Sequence, residues 1–430
     1  MGVPAACIAA ALFCGGQQQQ VAPSTHLGRS CGMRECSVRL GGYFSKGDVV
    51  LNAARAATVL DQISLRYDKI DLSPLLRSYN PDIKVYAQDN TSLLFHGSYA
   101  GAFQTGEPLE WRLRETTGVI VLPPRFQSAG IMKVYAMDVA NPRYQSWWRR
   151  TRAERLRDGR LDGFVADEPP SLLYEEWGRT DLRGYPDVYS KITATAAWLD
   201  TVRLGGVKVL INAGQWTALT AGGEYFGDLL IDHASGAWFE TWLRPYWGRA
   251  RQPTLDVWEK TIEWTERLGR DGRPAILAYA YDEREISELE TGVATYLLAK
   301  TSETLVFQPF PIDPTMRMRP GLAEFASETS AITQGYSLRH FLRTYDESRA
   351  LFDVRLGVAL EGRTDLGGHL YRRRFRAGVV VVNPTAEARE TTTRDLLGTA
   401  EELRSVRGTP ISGRIRIPPH SGRILLHRSR

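Results

Sequence analysis

Long apolar runs are missing from this sequence, in which no stretch of eighteen or more uncharged apolar residues follows the N-terminus. A membrane-spanning helix needs about 20 such residues, so a polytopic membrane protein and an integral span are excluded. The 430 residues are 43% apolar and 24% charged, proportions typical of globular proteins and unlike those of collagens or coiled coils. This length favours one large domain and one smaller domain.

Histidine and phosphate-binding motifs are also scarce. Only 7 histidines occur, and only His233 directly follows a predicted strand, which argues against a metal site built from several histidines. The sequence contains no Gly-x-x-x-x-Gly-Lys-Ser/Thr motif, and no Gly-x-Gly-x-x-Gly turn follows the first predicted strand. We therefore expect neither a metal nor a nucleotide cofactor.

Lysine is rare as well. The basic residues are 46 arginines and 8 lysines, which are scattered along the chain and matched by 49 acidic residues, for a net charge of +5. A nucleic-acid-binding protein usually concentrates its positive charge on one face or stripe. The sequence therefore predicts no nucleic-acid partner.

Cysteine is absent from residues 37–430, since all four cysteines lie in the first 36 residues. Residues 3–13 form a short apolar segment that resembles a signal peptide without its basic start, so we expect residues 1–37 to be a leader. Cys14 precedes two glycines and is a candidate lipid anchor, although the bulky Phe13 fits such a site poorly. Cys31 and Cys36 either form a disulfide or stay free thiols. We expect an extracytoplasmic protein that is secreted, periplasmic or lipid-anchored.

After residue 37, short apolar runs alternate with amphipathic segments. Several runs are almost continuously apolar, as in strands that are buried on both faces of a parallel sheet. The predicted strands are 38–44, 63–67, 83–88, 161–166, 207–212, 228–232, 275–281 and 305–308, and the predicted helices are 52–61, 72–79, 141–157, 188–203, 237–247, 255–268 and 285–300. Eight alternations favour an α/β fold, a (β/α)8 TIM barrel, over a doubly wound open sheet.

The same pattern predicts the domain organisation. The barrel extends over residues 38–345 and carries a long loop at 89–132. Residues 346–430 contain alternating strands separated by turns such as Asn383-Pro384, which predicts a small antiparallel, β-sandwich-like domain.

Two adjacent carboxylates, Asp167 and Glu168, end the fourth predicted strand. In a (β/α)8 barrel the active site forms at the carboxyl ends of the strands. Side chains alternate along a strand, so only one of the two carboxylates points towards the barrel axis. Asp167 shares its parity with Val165 and Gly163, and we predict that Asp167 is the inward residue.

A second carboxylate, Asp232, ends the run 228–232, and His233 follows it. This position lies two strands further along the sheet than Asp167, so the two carboxylates would face each other across the barrel mouth. Cleavage of a glycosidic bond needs such a pair, one carboxyl to protonate the leaving oxygen and one to stabilise or attack the oxocarbenium-like centre. The alternative role for Asp232 is a helix N-cap.

Polar and aromatic residues at or near the other predicted strand ends suit a sugar ligand. Amides and carboxylates can hydrogen-bond ring hydroxyls, and aromatic faces can cover the apolar face of a pyranose. The candidate substrate-binding residues are Tyr43, Gln88, Asp89, Asn212, Gln215, Trp216, His233, Trp238, Tyr281 and Gln308.

Four short segments resemble a known family. They are 162–168 (Asp-Gly-Phe-Val-Ala-Asp-Glu), 80–85 (Asn-Pro-Asp-Ile-Lys-Val), 374–384 and 421–426. Together they are similar to hypothetical glycoside hydrolase-like TIM-barrel proteins of the GHL15 type, over roughly residues 38–427. The resemblance implies hydrolysis of O-glycosyl bonds but no particular sugar. In related retaining enzymes the nucleophile ends the fourth strand and a partner acid follows the sixth, which implies these roles for Asp167 and Asp232.

Two hypotheses follow from the sequence. The leading one is a secreted glycoside hydrolase that cleaves an oligo- or polysaccharide with two carboxylates. The alternative is a non-catalytic carbohydrate-binding protein on a degenerate barrel, because a fold alone does not guarantee chemistry. A carbohydrate is the expected partner in both.

Overall fold

A computed structural model describes residues 37–44, 49–90, 93–95, 109–122, 134–167, 181–214, 216–244, 252–312, 337–399 and 402–428. The predicted site residues Glu168 and Gln215 lie outside these described residues, as do residues 1–36 with the candidate anchor Cys14.

The chain forms a (β/α)8 barrel, as predicted. Its strands are β1 (Gly41–Phe44), β2 (Gln62–Arg66), β3 (Lys84–Asn90), β6 (Gly163–Asp167), β7 (Val209–Asn212), β8 (Gly236–Phe239), β9 (Ala275–Asp282) and β10 (Leu305–Ile312). All neighbours in this order pair in parallel, and Leu40 forms a parallel bridge with Phe307 that closes the ring. Two further strands, β4 (Leu93–Phe95) and β5 (Val134–Ala136), pair with each other outside the barrel.

Helices surround the barrel. They are α1 (Val49–Val59), α2 (Ser73–Tyr79), α3 (Pro142–Leu156), α4 (Val188–Leu204), α5 (Phe226–Leu230), α6 (Leu255–Arg270), α7 (Ile286–Ala299), α8 (Leu338–Glu347) and α9 (Arg349–Phe352). Asn141 is the N-cap of α3, and its side chain accepts hydrogen bonds from two backbone amides. Pro142 follows in the first turn, where a proline is tolerated. Among the described residues, no helix combines the length and apolar character needed to span a bilayer.

The sixth barrel strand is β8, and the sequence prediction for this region was wrong. Residues 228–232, predicted as a strand, belong largely to α5, in which Phe226 and Leu230 lie four residues apart and are both buried. Residues 236–239, most of which were assigned to a helix at 237–247, form the strand. Trp238 points into the barrel while Ala237 and Phe239 pack on the outer core, so these few residues alternate as a strand must.

The barrel interior is filled by a small inner core, separate from the core between strands and helices. It consists of Tyr43, Tyr86, Val165, Leu210, Trp238, Ile276 and Val306, all at most 5% exposed. Because side chains alternate, a residue two positions beyond an inner-core residue points to the same interior, nearer the carboxyl end of the strand. This rule places the side chains that build the barrel mouth.

A small antiparallel β domain follows the barrel, as predicted. Its main sheet has the order β11 (Thr364–Asp365), β12 (Tyr371–Phe375), β13 (Gly378–Asn383), β18 (Ser421–His427), β15 (Leu403–Ser405) and β16 (Pro410–Ile411). A second, two-stranded sheet pairs β14 (Arg389–Thr392) with β17 (Arg414–Ile417), and the short helix α10 (Thr393–Leu397) follows β14. The sheet docks on α7, where the Gly422 amide donates to Thr291 Oγ1 at 3.0 Å. Arg373 Nη1 donates to the carbonyls of Leu297 and Leu298 at the end of the same helix.

Candidate active site

Asp167 points into the barrel mouth, as its parity with Val165 predicts. Gln88 Nε2 donates to Asp167 Oδ2 at 2.6 Å, and Asn212 Nδ2 donates to Asp167 Oδ1 at 3.2 Å. Both donors lie two residues beyond an inner-core residue of their own strand, Tyr86 in β3 and Leu210 in β7. The ends of three neighbouring strands therefore converge on one half-buried carboxylate.

Glu240 is a second half-buried carboxylate in this mouth, and the sequence analysis missed it. It directly follows β8 and lies two residues beyond Trp238, so it shares the inward parity of that side chain. Asn212 Nδ2 donates to Glu240 Oε2 at 2.8 Å. The same amide nitrogen thus contacts the carboxylates at the ends of β6 and β8.

This shared contact fixes the spacing of the two acids. The accepting oxygens of Asp167 and Glu240 lie 3.2 and 2.8 Å from one nitrogen, so they are separated by no more than the sum of these distances. An amide nitrogen carries two hydrogens about 120° apart, which places the oxygens about 5 Å from each other when each oxygen takes one hydrogen. The backbone amide of Gly214 donates to Asn212 Oδ1 at 2.9 Å and holds the bridging side chain in this orientation.

Two aromatic residues form the floor beneath the carboxylates. Trp238 is 1% exposed, and its ring meets that of Tyr43 edge to face, with centroids 5.3 Å apart. The Tyr43 hydroxyl donates to Gln88 Oε1 and so orients the amide that holds Asp167. Tyr43, Gln88 and Asn212 therefore lie at the mouth, where a substrate contact stays a prediction, and Trp238 is a buried support beneath them.

Asp232 lies at the opposite end of the barrel from Asp167, so the predicted pairing of these two residues is wrong. It precedes β8 by four residues and therefore sits near the amino end of that strand. Its side chain is 62% exposed and forms an ion pair with Arg267 of α6. His233 lies in the same connection, where its Nδ1 is 2.7 Å from Asp200 Oδ2 of α4. Both residues lie far from the mouth, because they precede β8 and the mouth is at the carboxyl end of the strand.

Two other predicted contact residues, Asp89 and Trp216, lie on the outer side of the strands or in the surrounding core. Asp89 has the opposite parity to Gln88 and pairs with Arg152 of α3, with Nε and Oδ2 2.6 Å apart and both side chains buried. Trp216 is 2% exposed and packs against Phe239 and Trp264, so its ring has no free face for a sugar. These positions are wrong as substrate contacts.

Tyr281 and Gln308 are also structural. The Tyr281 hydroxyl lies 3.1 Å from Thr344 Oγ1 of α8, and burial raises the pKa of this phenol to about 12. Gln308 is fully buried, and its amide bonds to both the nitrogen and the carbonyl oxygen of Tyr43. Gln308 thereby joins β10 to β1 where few backbone bonds close the barrel.

A sequence signal for Glu240 does exist. The turn-forming pair Ser235-Gly236 marks an element boundary. Three apolar residues follow it and then the acid Glu240, just as Asp167 follows an apolar run. The signal is short, and the longer apolar run at 228–232 competes with it.

In the part of the chain that the structure describes, no group of three or more His, Cys, Asp or Glu side chains could hold a metal ion.

Comparisons with known proteins give matches among solved structures alone. No family model and no curated protein matches the chain. Among solved structures, the glycoside hydrolase domain of PelA from Pseudomonas aeruginosa is 15% identical with a TM-score of 0.40, and the match covers 66% of this chain and 97% of that one. An α-amylase from Malbranchea cinnamomea is 9% identical with a TM-score of 0.45, over 91% of this chain and 96% of that one. An α-amylase from Geobacillus thermoleovorans in complex with acarbose is 12% identical with a TM-score of 0.41, over 92% and 99%.

Proposed function

We propose that this protein is a retaining glycoside hydrolase in which Asp167 is the nucleophile and Glu240 is the general acid and base. The observation that carries the proposal is the Asn212 amide, which bonds to both carboxylates inside the barrel mouth. Retaining enzymes hold their two carboxyl groups about 5–5.5 Å apart, whereas inverting enzymes separate them by about 6.5–9.5 Å to admit a water. The spacing set by Asn212 supports the retaining class.

The hydrogen bonds support the division of roles. Asp167 accepts from two amides, Gln88 and Asn212, and an ionised carboxylate, which only accepts hydrogen bonds, matches these donors. An ionised carboxylate is also what a nucleophile must be. Glu240, on the other side of the mouth, then serves as the general acid and base that transfers the proton to and from the reacting oxygens.

The reaction then has two steps. Glu240 gives its proton to the glycosidic oxygen as the bond from that oxygen to the anomeric carbon breaks, and Asp167 attacks the anomeric carbon to form a glycosyl ester. Glu240 next takes a proton from a water, whose oxygen attacks the anomeric carbon and releases Asp167. The buried floor of Trp238 and Tyr43 excludes water from below the reacting atoms.

A glycan-library hydrolysis screen tests the proposal. The wild type, Asp167→Asn and Glu240→Gln are incubated with neutral, amino and acidic oligosaccharides, and the products are separated by chromatography. We expect hydrolysis of at least one glycan by the wild type and a loss of about 10²-fold or more in either variant. NMR of the first product should show the anomeric configuration of the cleaved bond. A glycan that binds but is never cleaved would instead support a non-catalytic binding protein, and an inverted product would reject the assigned roles.

We also propose that the protein acts outside the cytoplasm. The support is the apolar segment 3–13 and the restriction of cysteine to the first 36 residues. Fractionation of cells that produce the full chain should place it outside the cytoplasmic membrane. Membrane association that is lost in Cys14→Ser would support a lipid anchor, and retention of the wild type in the cytoplasm would contradict export.

A further inference from the structure

The outer surface of α3 carries an open cavity of about 470 Å³, which we term the α3 cavity. This size falls within the range of about 300–1,000 Å³ that is common for small-molecule sites. Its lining residues are Trp111, Pro142, Arg143, Ser146, Trp147 and Arg150. None of them belongs to the barrel mouth described above.

The spacing of residues on α3 explains the cavity. Arg143, Trp147 and Arg150 lie four and three residues apart, so they share one face of the helix. Trp148 and Arg152 lie on the opposite, buried face. Trp111 comes from the short 3-10 turn Leu109–Trp111, and its ring lies 5.5 Å from that of Trp147 at an angle of 46°. The Trp147 ring also packs against Tyr144 and Arg152, and the exposed parts of the two half-buried indoles line the cavity together with Arg143 and Arg150.

The two arginines are available to a ligand. The Arg143 side chain is 79% exposed, and its nearest ionic contact is a long one of 3.9 Å to the exposed Glu110. Arg150 is exposed and has no ion-pair partner among the described residues. A guanidinium presents a planar set of donors that matches carboxylate and sulfate oxygens, and an indole face suits the apolar face of a sugar ring.

We infer that the α3 cavity is a second saccharide site, which binds an acidic sugar unit through Trp147 and Trp111 and its carboxylate or sulfate through Arg143 and Arg150. The site lies near the barrel mouth, because each helix of such a barrel begins at the carboxyl end of the preceding strand and the cavity occupies the first part of α3. One acidic polysaccharide could therefore contact both sites. The inference rests on the proposed function only in taking a saccharide as the ligand.

Binding measured in the Asp167→Asn background tests this inference without turnover. The probes are a galacturonic acid hexamer, a heparin-derived hexamer, neutral maltohexaose and a single-stranded oligonucleotide, and the method is isothermal titration calorimetry. We expect at least one acidic hexamer to bind at least tenfold more tightly than maltohexaose. Tight binding of the galacturonic acid hexamer identifies the carboxylate as the recognised group, whereas tight binding of the heparin-derived hexamer alone, which carries both groups, identifies the sulfate. The combined change of Arg143→Ala and Arg150→Ala should weaken that binding at least tenfold.

A control for the loss of positive charge is Arg157→Ala, which removes one charge, against two in the double variant, at the exposed C-terminal end of α3, outside the cavity. It should leave binding within twofold of the parent. Equal binding of acidic and neutral hexamers, unchanged binding in the double arginine variant, or preferred binding of a single-stranded oligonucleotide would each overturn the inference. If the acidic hexamer binds as expected while the glycan screen finds no hydrolysis, the second site stands and the proposed enzyme activity fails.

Discussion

The two ends of β8 carry carboxylates in very different settings. Asp232 lies before the strand, is 62% exposed and pairs with Arg267 on the barrel exterior. Glu240 lies directly after the strand, is half-buried and shares the Asn212 amide with Asp167. The two acids are eight positions apart in the chain. Only Glu240 faces the barrel interior at the carboxyl ends of the strands, where the active site of such a barrel forms. What decides the role of a carboxylate here is the strand end it occupies.

The largest expected effect separates these two acids by activity. On a glycan that the wild type hydrolyses, Glu240→Gln should lower kcat/KM by about 10²–10⁴-fold, because it removes the proton donor. Asp232→Asn should stay within twofold of the wild type, since that side chain lies outside the mouth. Steady-state kinetics of both variants check this prediction. Equal losses of kcat/KM would show that the carboxylates at the two ends of β8 do not differ in their contribution to catalysis.

The next effect compares the ion pairs on the two sides of the barrel. Arg152 and Asp89 are 2% and 6% exposed, whereas Arg267 and Asp232 are 40% and 62% exposed. Arg152→Met leaves a buried charge without its partner and should cost about 3–5 kcal/mol of unfolding free energy. Arg267→Met should cost at most about 1 kcal/mol. Urea denaturation measures both, and similar costs would show that burial does not distinguish the pairs.

A smaller effect tests the bridge between the mouth carboxylates. Asn212→Ala removes the amide that spaces Asp167 and Glu240, and small displacements of reacting groups can cost about 10²-fold in rate. We therefore expect kcat/KM to fall by about this factor, although neither Asp167 nor Glu240 is itself substituted. The thermal unfolding midpoint should be measured in parallel. If activity and KM stay unchanged in a folded variant, the bridge has no positioning role.

The smallest effect concerns His233 and Asp200 at the far end. Burial opposes ionisation of Asp200, but hydrogen bonds from His233 and Arg203 outweigh it and hold the Asp200 pKa below its usual value. A carboxylate with a lowered folded-state pKa stabilises the fold above its unfolded pKa of about 3.9, and this contribution disappears as the pH falls through the folded pKa. His233→Ala should cost less than about 1 kcal/mol at pH 7, because the pair is partly exposed and screened by solvent. Urea titrations from pH 7 downwards should show the difference between wild type and variant narrowing once the pH falls below about 3.9, and a difference that does not narrow would rule out an ionic origin.

The sequence predicted the barrel and the orientation of Asp167 because β6 is a continuous apolar strand whose parity can be followed to its end. It failed at β8, where four residues carry the strand signal and a short amphipathic helix precedes them. Parity also separates Gln88, which faces the mouth, from Asp89, which faces α3. Trp216 could not be placed in this way, because it lies in a loop whose packing depends on contacts with β8 and α6.

The most direct test of the account is a double-mutant comparison of Asp167→Asn and Glu240→Gln. The measured quantity is kcat/KM of each single variant and of the combined variant on one hydrolysed glycan, with folding checked by circular dichroism. If both carboxylates act on the same bond, the combined variant should be no less active than the weaker single variant, because groups that act as a unit are strongly non-additive. Losses that multiply, or a Glu240→Gln variant with wild-type activity, would show that the two residues do not form one active site.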